Sequence, residues 1–297
     1  MTPRISVIIP ALNAASTIGE ALKALCAQSG APPFEIIVID NGSTDATAQI
    51  AREIGARVLT ETVRGPAAAR NCGLRAAQGE IVAHMDADTV PSRKWLYFIT
   101  EPFSDPATML VAGNTLCYPP RTPAERYVEA VGLFDASRCV SRKPFPFAPS
   151  LNVAMRRDAA LGIGGWSEDL LTGEDVDLCY RLVRKFGTEI VYAKGAILYH
   201  HGRTDDAALC RQARGYGAGA ADLYRRYPAE VDWNGIKALH LARMILIRGF
   251  VALLAGPGNA LGVIDERRAE FLRYHSLWTR NFWLGFAQRS WERRHAR

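Results

Sequence analysis

A short, mostly apolar run, Ile81-Val82-Ala83-His84-Met85, ends in Asp86-Ala87-Asp88. Such a run is a buried strand. Two carboxylates leaving its carboxyl end stand where open α/β sheets bind their ligands. With no Lys or Arg beside them in sequence, they repel each other unless a cation lies between them. A hard divalent ion carrying phosphate oxygens is the natural occupant. Taken alone, the same tripeptide reads equally well as a solvated turn, so the surrounding sequence has to decide.

That surrounding sequence alternates strand and helix. Ile5–Ile9 is a continuous apolar run, as expected of a parallel strand covered on both faces. Ser16 or Thr17 is placed to cap a helix ending near Cys26. Phe34–Asp40 is a second strand, and Thr44 or Asp45 caps a helix through Ile54. Arg57–Leu59 is a third strand, Pro66–Ala77 a helix, and 80–85 the strand of the opening. Alternation of this kind implies right-handed crossovers and a mostly parallel sheet in an α/β fold. Asp40 then shares an edge with Asp86 and Asp88, although before Asn41-Gly42 it also suits a plain turn. Arg64, Arg70 and Asn71 lie near that edge, and on its own Arg70 reads as a solvated helix residue.

Composition sets limits. The 297 residues are enough for one large domain with an appendage, and 48% hydrophobic with 22% charged residues is ordinary for a globular chain. The six cysteines are scattered without a Cys-x-x-Cys pair, as for buried thiols in a reducing compartment. Met1-Thr2-Pro3-Arg4 leads directly into Ile5–Pro10, too short for the apolar core of a signal peptide. The net charge of +6 lies entirely in residues 231–297, which hold 11 of the 36 Lys and Arg but 5 of the 30 Asp and Glu. A neutral body of residues 1–230 argues against a nucleic-acid partner. The basic tail suits an acidic surface.

Several blocks occur in a fixed order: Pro10-Ala11-Leu12-Asn13, Val38–Asp45, Gly65–Gly73, Gly79–Asp88, Gly164-Gly165-Trp166, Thr172–Arg181 and His200. Together they closely resemble the family 2 glycosyltransferases over residues 4–203. The resemblance implies the GT-A nucleotide-sugar-binding fold, a mostly parallel mixed sheet, with a catalytic domain over 1–230. The remainder, 231–297, is a helical appendage. It also implies transfer of a sugar from a nucleotide-diphosphate-sugar donor to an acceptor hydroxyl, with inversion at the anomeric carbon, and a divalent cofactor, Mn²⁺ or Mg²⁺.

Roles follow from the resemblance position by position. Pro10 and Asn13 lie in the turn beside the donor, although the family's frequent acidic residue after Asn13 is replaced by Ala14 and Ala15. Asp40 holds the base, Asp86 lies near the ribose and metal, and Asp88 ligates the metal. Arg70 lies near the nucleotide or diphosphate. Asp175 is the catalytic base, beside Glu174. His200 completes the metal site, with His201 one residue out of register. The residue types suit the chemistry: a carboxylate takes the acceptor proton, and a cation neutralises the leaving diphosphate. Asp175 also opens a helical pattern, where the dipole favours its ionised form. As a bland alternative, Glu174, Asp175 and Asp177 are ordinary capping acids. Glu174 and Trp166 are placed against the acceptor; Trp166 reads equally as a core residue.

Three segments are less defined. Residues 138–149 are rich in Pro and Phe with a basic Arg142-Lys143 pair, and read as a loop over the site. Gly215, Gly217 and Gly219 suit either close helix packing or a lid near the diphosphate. Beyond 236, Arg243 and Arg248 interrupt an apolar stretch, which excludes a standard spanning helix. Gly256–Asn259 breaks that stretch. A helix over 264–293 follows, with Phe271, Tyr274, Trp278 and Phe282 on one face and a surround of arginines that includes Arg293 and Arg294. That pattern suits peripheral membrane contact through 236–297, or helices packed on protein. The expectation is a cytoplasmic protein at the inner face of the cell membrane, acting on a glycan or lipid-linked acceptor. Two other classes compete: a non-catalytic sugar-nucleotide-binding module, and a nucleotidyltransferase. The second needs a glycine-rich phosphate loop that Pro10–Asn13 lacks.

Overall fold

The computed structural model describes residues 3–202, 204–231 and 235–295, the last with backbone alone at 235–242 and 293–295. By contacts the chain forms two compact units. The first comprises Met1–Tyr118 with Phe134–His201, and the second comprises Pro119–Leu133 with Gly202–Arg297.

The first unit opens with β1 (Ile5–Ala11), α1 (Ile18–Cys26), β2 (Phe34–Asp40), α2 (Thr47–Glu53), β3 (Arg57–Thr60), α3 (Pro66–Ala76) and β4 (Ile81–Met85). After β5 (Thr89–Pro91) come α4 (Trp95–Thr100) and β6 (Leu110–Cys117). The chain then passes through α5 (Pro123–Val131), which belongs to the second unit, and returns with α6 (Ala136–Val140). β7 (Asn152–Arg156), α7 (Arg157–Gly162), α8 (Glu174–Phe186) and β8 (Ile190–His200) complete it. The eight strands form one mixed sheet in the order β3-β2-β1-β4-β7-β6-β8-β5. β3, β2, β1 and β4 run parallel, so Asp40 and Asp86 leave the sheet on one edge. β7 is antiparallel to both β4 and β6.

The apolar runs are buried on both faces, as read from their continuity. Ile5, Val7 and Ile9 of β1 pack with Leu22 and Leu25 of α1 and Trp95 and Ile99 of α4. Ile8, between them in sequence, points to the opposite face with Leu74 of α3 and Leu178 and Leu182 of α8. This is the period of two that a pleated strand imposes. Where expectation and structure differ, the cause is local. α2 starts one residue later than a cap at Asp45 would give. The Asp45 carboxylate still accepts from the Thr47 amide at 3.0 Å, but also from Ala15 across the neighbouring turn. The loop expected over 138–149 begins inside α6, whose first turn is capped by Asp135 accepting from Ser137. All six thiols are free, but only Cys179 is buried and Cys26 is exposed.

The second unit holds α5, α9 (Asp206–Arg226), α10 (Gly235–Ala260) and α11 (Glu266–His295). α9 groups with this unit because it lies along α11. The glycines of 215–219 fall inside α9, and the packing alternative holds. A Cβ on Gly217 would overlap the Phe282 carbonyl of α11, and one on Gly285 would overlap the Arg214 carbonyl of α9. Both backbones therefore need a hydrogen where they cross. Tyr127 of α5 meets Phe271, Tyr274 and Trp278 of α11, and Tyr216 of α9 meets Trp278. The aromatic face of α11, expected as a set of membrane anchors, is thus engaged within the protein. The break expected at Gly256–Asn259 is also absent: α10 runs on to Ala260 with Pro257 inside it. Proline removes one backbone donor, and the turn after it still closes, with Leu261 donating to the Pro257 carbonyl at 3.0 Å. Arg293 and Arg294 lie outside the residues whose side chains are described.

Two glycine substitutions test this packing. Gly217→Ala should destabilise the protein by about 1–3 kcal/mol through overpacking. Gly249→Ala in α10, with open space around it, should be neutral or stabilise by up to about 1 kcal/mol. Thermal melts of both variants check this, and a Gly217→Ala melt as high as the wild type would reject the close crossing.

Candidate active site

The edge where β1, β2 and β4 end is built from turns tied to one another. Asn13, with φ of 50°, accepts from the Thr44 amide at 2.8 Å and donates its own amide to Ser43 Oγ at 3.0 Å. Asp40 accepts from the Ser43 amide at 3.0 Å. Asn41 is buried, donates to the Glu61 and Val63 carbonyls, and accepts from Gly65 at 2.9 Å. It thereby fixes the loop that launches α3. Pro10 sits near the end of β1, level with Ile39 of β2. Pro10, Asn13 and Asp40 are thus gathered at one end of the sheet.

α3 carries Arg70 into the interior. Its side chain is 4% exposed, with Nη2 2.9 Å from Asp86 Oδ1 and Nη1 2.9 Å from Glu174 Oε1. The guanidinium lies over the Trp166 ring, 5.1 Å from its centre. Burial alone lowers the guanidinium pKa, but the Asp86 and Glu174 charges outweigh it and hold it above its ordinary value. Arg70 therefore joins the end of β4 to the first turn of α8. Both of its terminal nitrogens are engaged by carboxylates.

The Trp166 ring is enclosed. His84 meets it edge-on at 5.1 Å, and the tryptophan is 2% exposed, which leaves no face for a sugar ring. Its core reading is the one that holds. Glu174, 6% exposed and turned onto Arg70, is likewise not on an acceptor surface. Its carboxyl is pushed up to about 7 by burial and by Asp175, against the pull of Arg70. Burial also raises the Asp175 carboxyl, against hydrogen bonds from the Val176 and Ser150 amides. His84 is held neutral by complete burial and by Arg70 nearby.

Sequence reasoning missed the clamp that holds this floor. Asn71 donates to the Trp166 carbonyl and Glu168, and accepts from the Trp166 amide at 2.8 Å. Gly165, at φ of 72°, has no room for a Cβ against the Asn71 oxygen. From the far side, fully buried Asp177 accepts from Ser167 and Arg181, and Arg181 donates to the Ile163 and Gly165 carbonyls. Of the acids that open α8, Asp177 is thus structural. Asn71 does stand beside Arg70 in the sequence, but its partner lies 95 residues away.

Asp88 and His200 meet because β5 pairs with β8, with Thr89 opposite His200. His200 Nε2 is 3.8 Å from Asp88 Oδ2. His201 faces elsewhere, stacked on Tyr118 at 4.4 Å and 3.7 Å from Glu20. Among the described residues no cluster of three His, Cys, Asp or Glu side chains converges as a metal cage. Asp88 and His200 supply one carboxylate and one imidazole. Their separation is under twice a metal–ligand bond of about 2.1 Å, so both can reach one ion that takes its other ligands from phosphate. Nearby, the carboxyls of Asp86, Glu174 and Asp175 act on one guanidinium.

Comparison with known proteins bears on this arrangement. The model of the family described as "Glycosyl transferase family 2" matches residues 6–163. The pre-mycofactocin glycosyltransferase of Mycobacterium tuberculosis is 31% identical over 96% of this chain, which spans 63% of that protein's length. Glycosyltransferase AglE of Haloferax volcanii is 31% identical over 71% of each. Among solved structures, the mannosyltransferase PcManGT of Pyrobaculum calidifontis, in complex with GDP-Man and Mn²⁺, superposes with a TM-score of 0.68. It is 22% identical, over 98% of this chain and 88% of that one. Glucosyl-3-phosphoglycerate synthase of M. tuberculosis, bound to Mn²⁺, UDP and glucosyl-3-phosphoglycerate, gives 0.57 at 24% identity over 75% and 80%. These structures share the GT-A fold.

Arg70→Met removes the cation bonded to both Asp86 and Glu174 and should cost about 3–5 kcal/mol in chemical denaturation. Adding Glu174→Gln should restore part of that loss; strict additivity would show the two are not coupled. A second expectation concerns pH. Native Glu174 keeps its proton where the unfolded chain has lost it, so its contribution is full below about 4.5 and is lost as pH rises through about 7. Glu174→Gln should therefore gain stability relative to wild type between pH 5 and 8, read as the difference in melting temperature. A constant difference would reject the raised carboxyl.

Proposed function

This chain belongs to glycosyl transferase family 2, and on that premise we propose that it moves a sugar from a nucleotide-diphosphate-sugar donor to an acceptor hydroxyl with inversion. The observation that carries the reading is the path Asp86–Arg70–Glu174–Asp175. It joins the donor edge of the sheet to a helix N-terminus that presents a carboxylate. In this reading Asp40 receives the base, with Pro10 and Asn13 framing the turn beside it. Asp86 lies by the ribose. Asp88 and His200 hold Mn²⁺ or Mg²⁺, whose charge offsets the leaving diphosphate when it is bound.

Asp175 is the base. Its raised affinity for a proton suits a group that must accept one from a hydroxyl in the transition state. The Val176 amide and the helix N-terminus orient its carboxylate and stabilise its charged form. Arg70 keeps the neighbouring Glu174 directed away from the acceptor, so one acid of the pair faces the chemistry. Inversion needs a single base on the face opposite the leaving group, and the site offers one such carboxylate on α8. The acceptor is a glycan or a lipid-linked sugar. Residues 236–297 supply peripheral contact with the inner face of the membrane.

Asp175→Asn should lower kcat by about 10²–10⁴ with nucleotide binding nearly unchanged. Asp88→Ala should instead remove the metal-dependent part of thermal stabilisation by nucleoside diphosphates. Substantial turnover by Asp175→Asn, measured with excess donor, would reject Asp175 as the base.

A further inference from the structure

α10 has two unlike faces. One packs on α11, where Arg248 donates to Thr279 at 3.2 Å and Ala255 is buried. The other carries Leu246, Ile247, Phe250, Leu253 and Leu254 into solvent, with Leu246 74%, Phe250 63% and Leu253 77% exposed. Positions 246, 250, 253 and 254 follow the i, i+4, i+7, i+8 spacing of one helical stripe. Beyond the helix, Leu261 and Val263 are also exposed. A contiguous apolar surface of this kind marks an interaction site.

Charge identifies the partner. No Asp or Glu occurs between Asp232 and Asp265, whereas Lys237, Arg243 and Arg248 fall within that stretch. Arg243 is exposed. A second copy would present the same apolar, acid-free stretch and supply no opposite charge to Arg243. An anionic lipid surface supplies both the charge and the apolar interior. No described helix is long and apolar enough to cross a membrane. A helix of 26 residues with one apolar side and one packed side can lie in the interface plane.

We propose that α10 lies flat in the headgroup region of an anionic bilayer. It inserts Leu246, Ile247, Phe250, Leu253 and Leu254, while Arg243 meets lipid phosphates and α11 stays within the protein. This assigns the expected membrane contact to α10, not to the aromatic face of α11. The site is in the second unit and its test reads no activity, so it fails or stands separately from the transferase reading.

The test uses the full chain and sedimentation with vesicles of phosphatidylcholine, alone or with one part in four phosphatidylglycerol. Wild type should bind the anionic vesicles and bind less as salt rises. The triple variant Leu246→Asn, Phe250→Asn, Leu253→Asn should bind roughly tenfold more weakly or worse, with circular dichroism and melting unchanged. Should the triple variant misfold, Phe250→Trp gives a second reading: its added emission should shift blue and be quenched by brominated acyl chains. Absence of binding by wild type would overturn the proposal. So would unchanged binding by a folded triple variant, or loss of a concentration-dependent dimer in that variant without loss of vesicle binding.

Discussion

The site depends on one buried cation. Arg70 is the point where the sheet edge and the first turn of α8 are joined, through two hydrogen bonds of 2.9 Å to carboxylates that lie 88 positions apart in sequence. Burying a guanidinium is costly unless its partners are close and well aligned. Here both terminal nitrogens are engaged and an aromatic face lies beneath. That cost explains why the surroundings are so constrained. Trp166 must be held flat under the cation, and the Gly164-Gly165-Trp166 turn is clamped by Asn71 on one side and by Asp177 with Arg181 on the other.

The same cation orders the acids. Several carboxylates close together cannot all ionise freely, and this protein separates them by environment. Asp86 is partly open and paired, Glu174 is buried and pushed up to about 7, and Asp177 is fully buried in an ion pair. Asp175 retains a position at the helix N-terminus. A run of acids that looks repetitive in the chain thus divides into distinct jobs, because each meets a different dielectric and a different partner. Elsewhere, the pairing of β5 with β8 brings His200, not its neighbour, toward Asp88. Adjacent residues of a strand point to opposite faces, so a single strand register decides which imidazole reaches Asp88.

The second unit follows other rules. Its helices approach closely where Gly217 and Gly285 remove side chains, and the aromatics of α11 fill the space toward α5 and α9. Packing uses up the surface that looked most suited to lipid and leaves α10 with the apolar side uncovered. Hydrophobic pattern alone does not say which of two helices is outermost; that depends on which one has neighbours.

Much was nevertheless determined by the sequence. The mostly apolar runs Ile5–Ile9, Phe34–Asp40 and Ile81–Met85 specify parallel strands. Parallel strands place Asp40 and Asp86 on one edge, because every crossover returns the chain to the same end. The helix start near Asp175 and the length of α11 were also legible, being set by local pattern. What only the tertiary structure decided was which polar side chains face the site and which support it. Arg70, Trp166 and Glu174 carry donor- or acceptor-binding chemistry in their residue types, yet all three are buried against one another. Their roles depend on partners up to 104 residues away, and no local period or propensity encodes a contact between elements that meet only when the sheet closes over them.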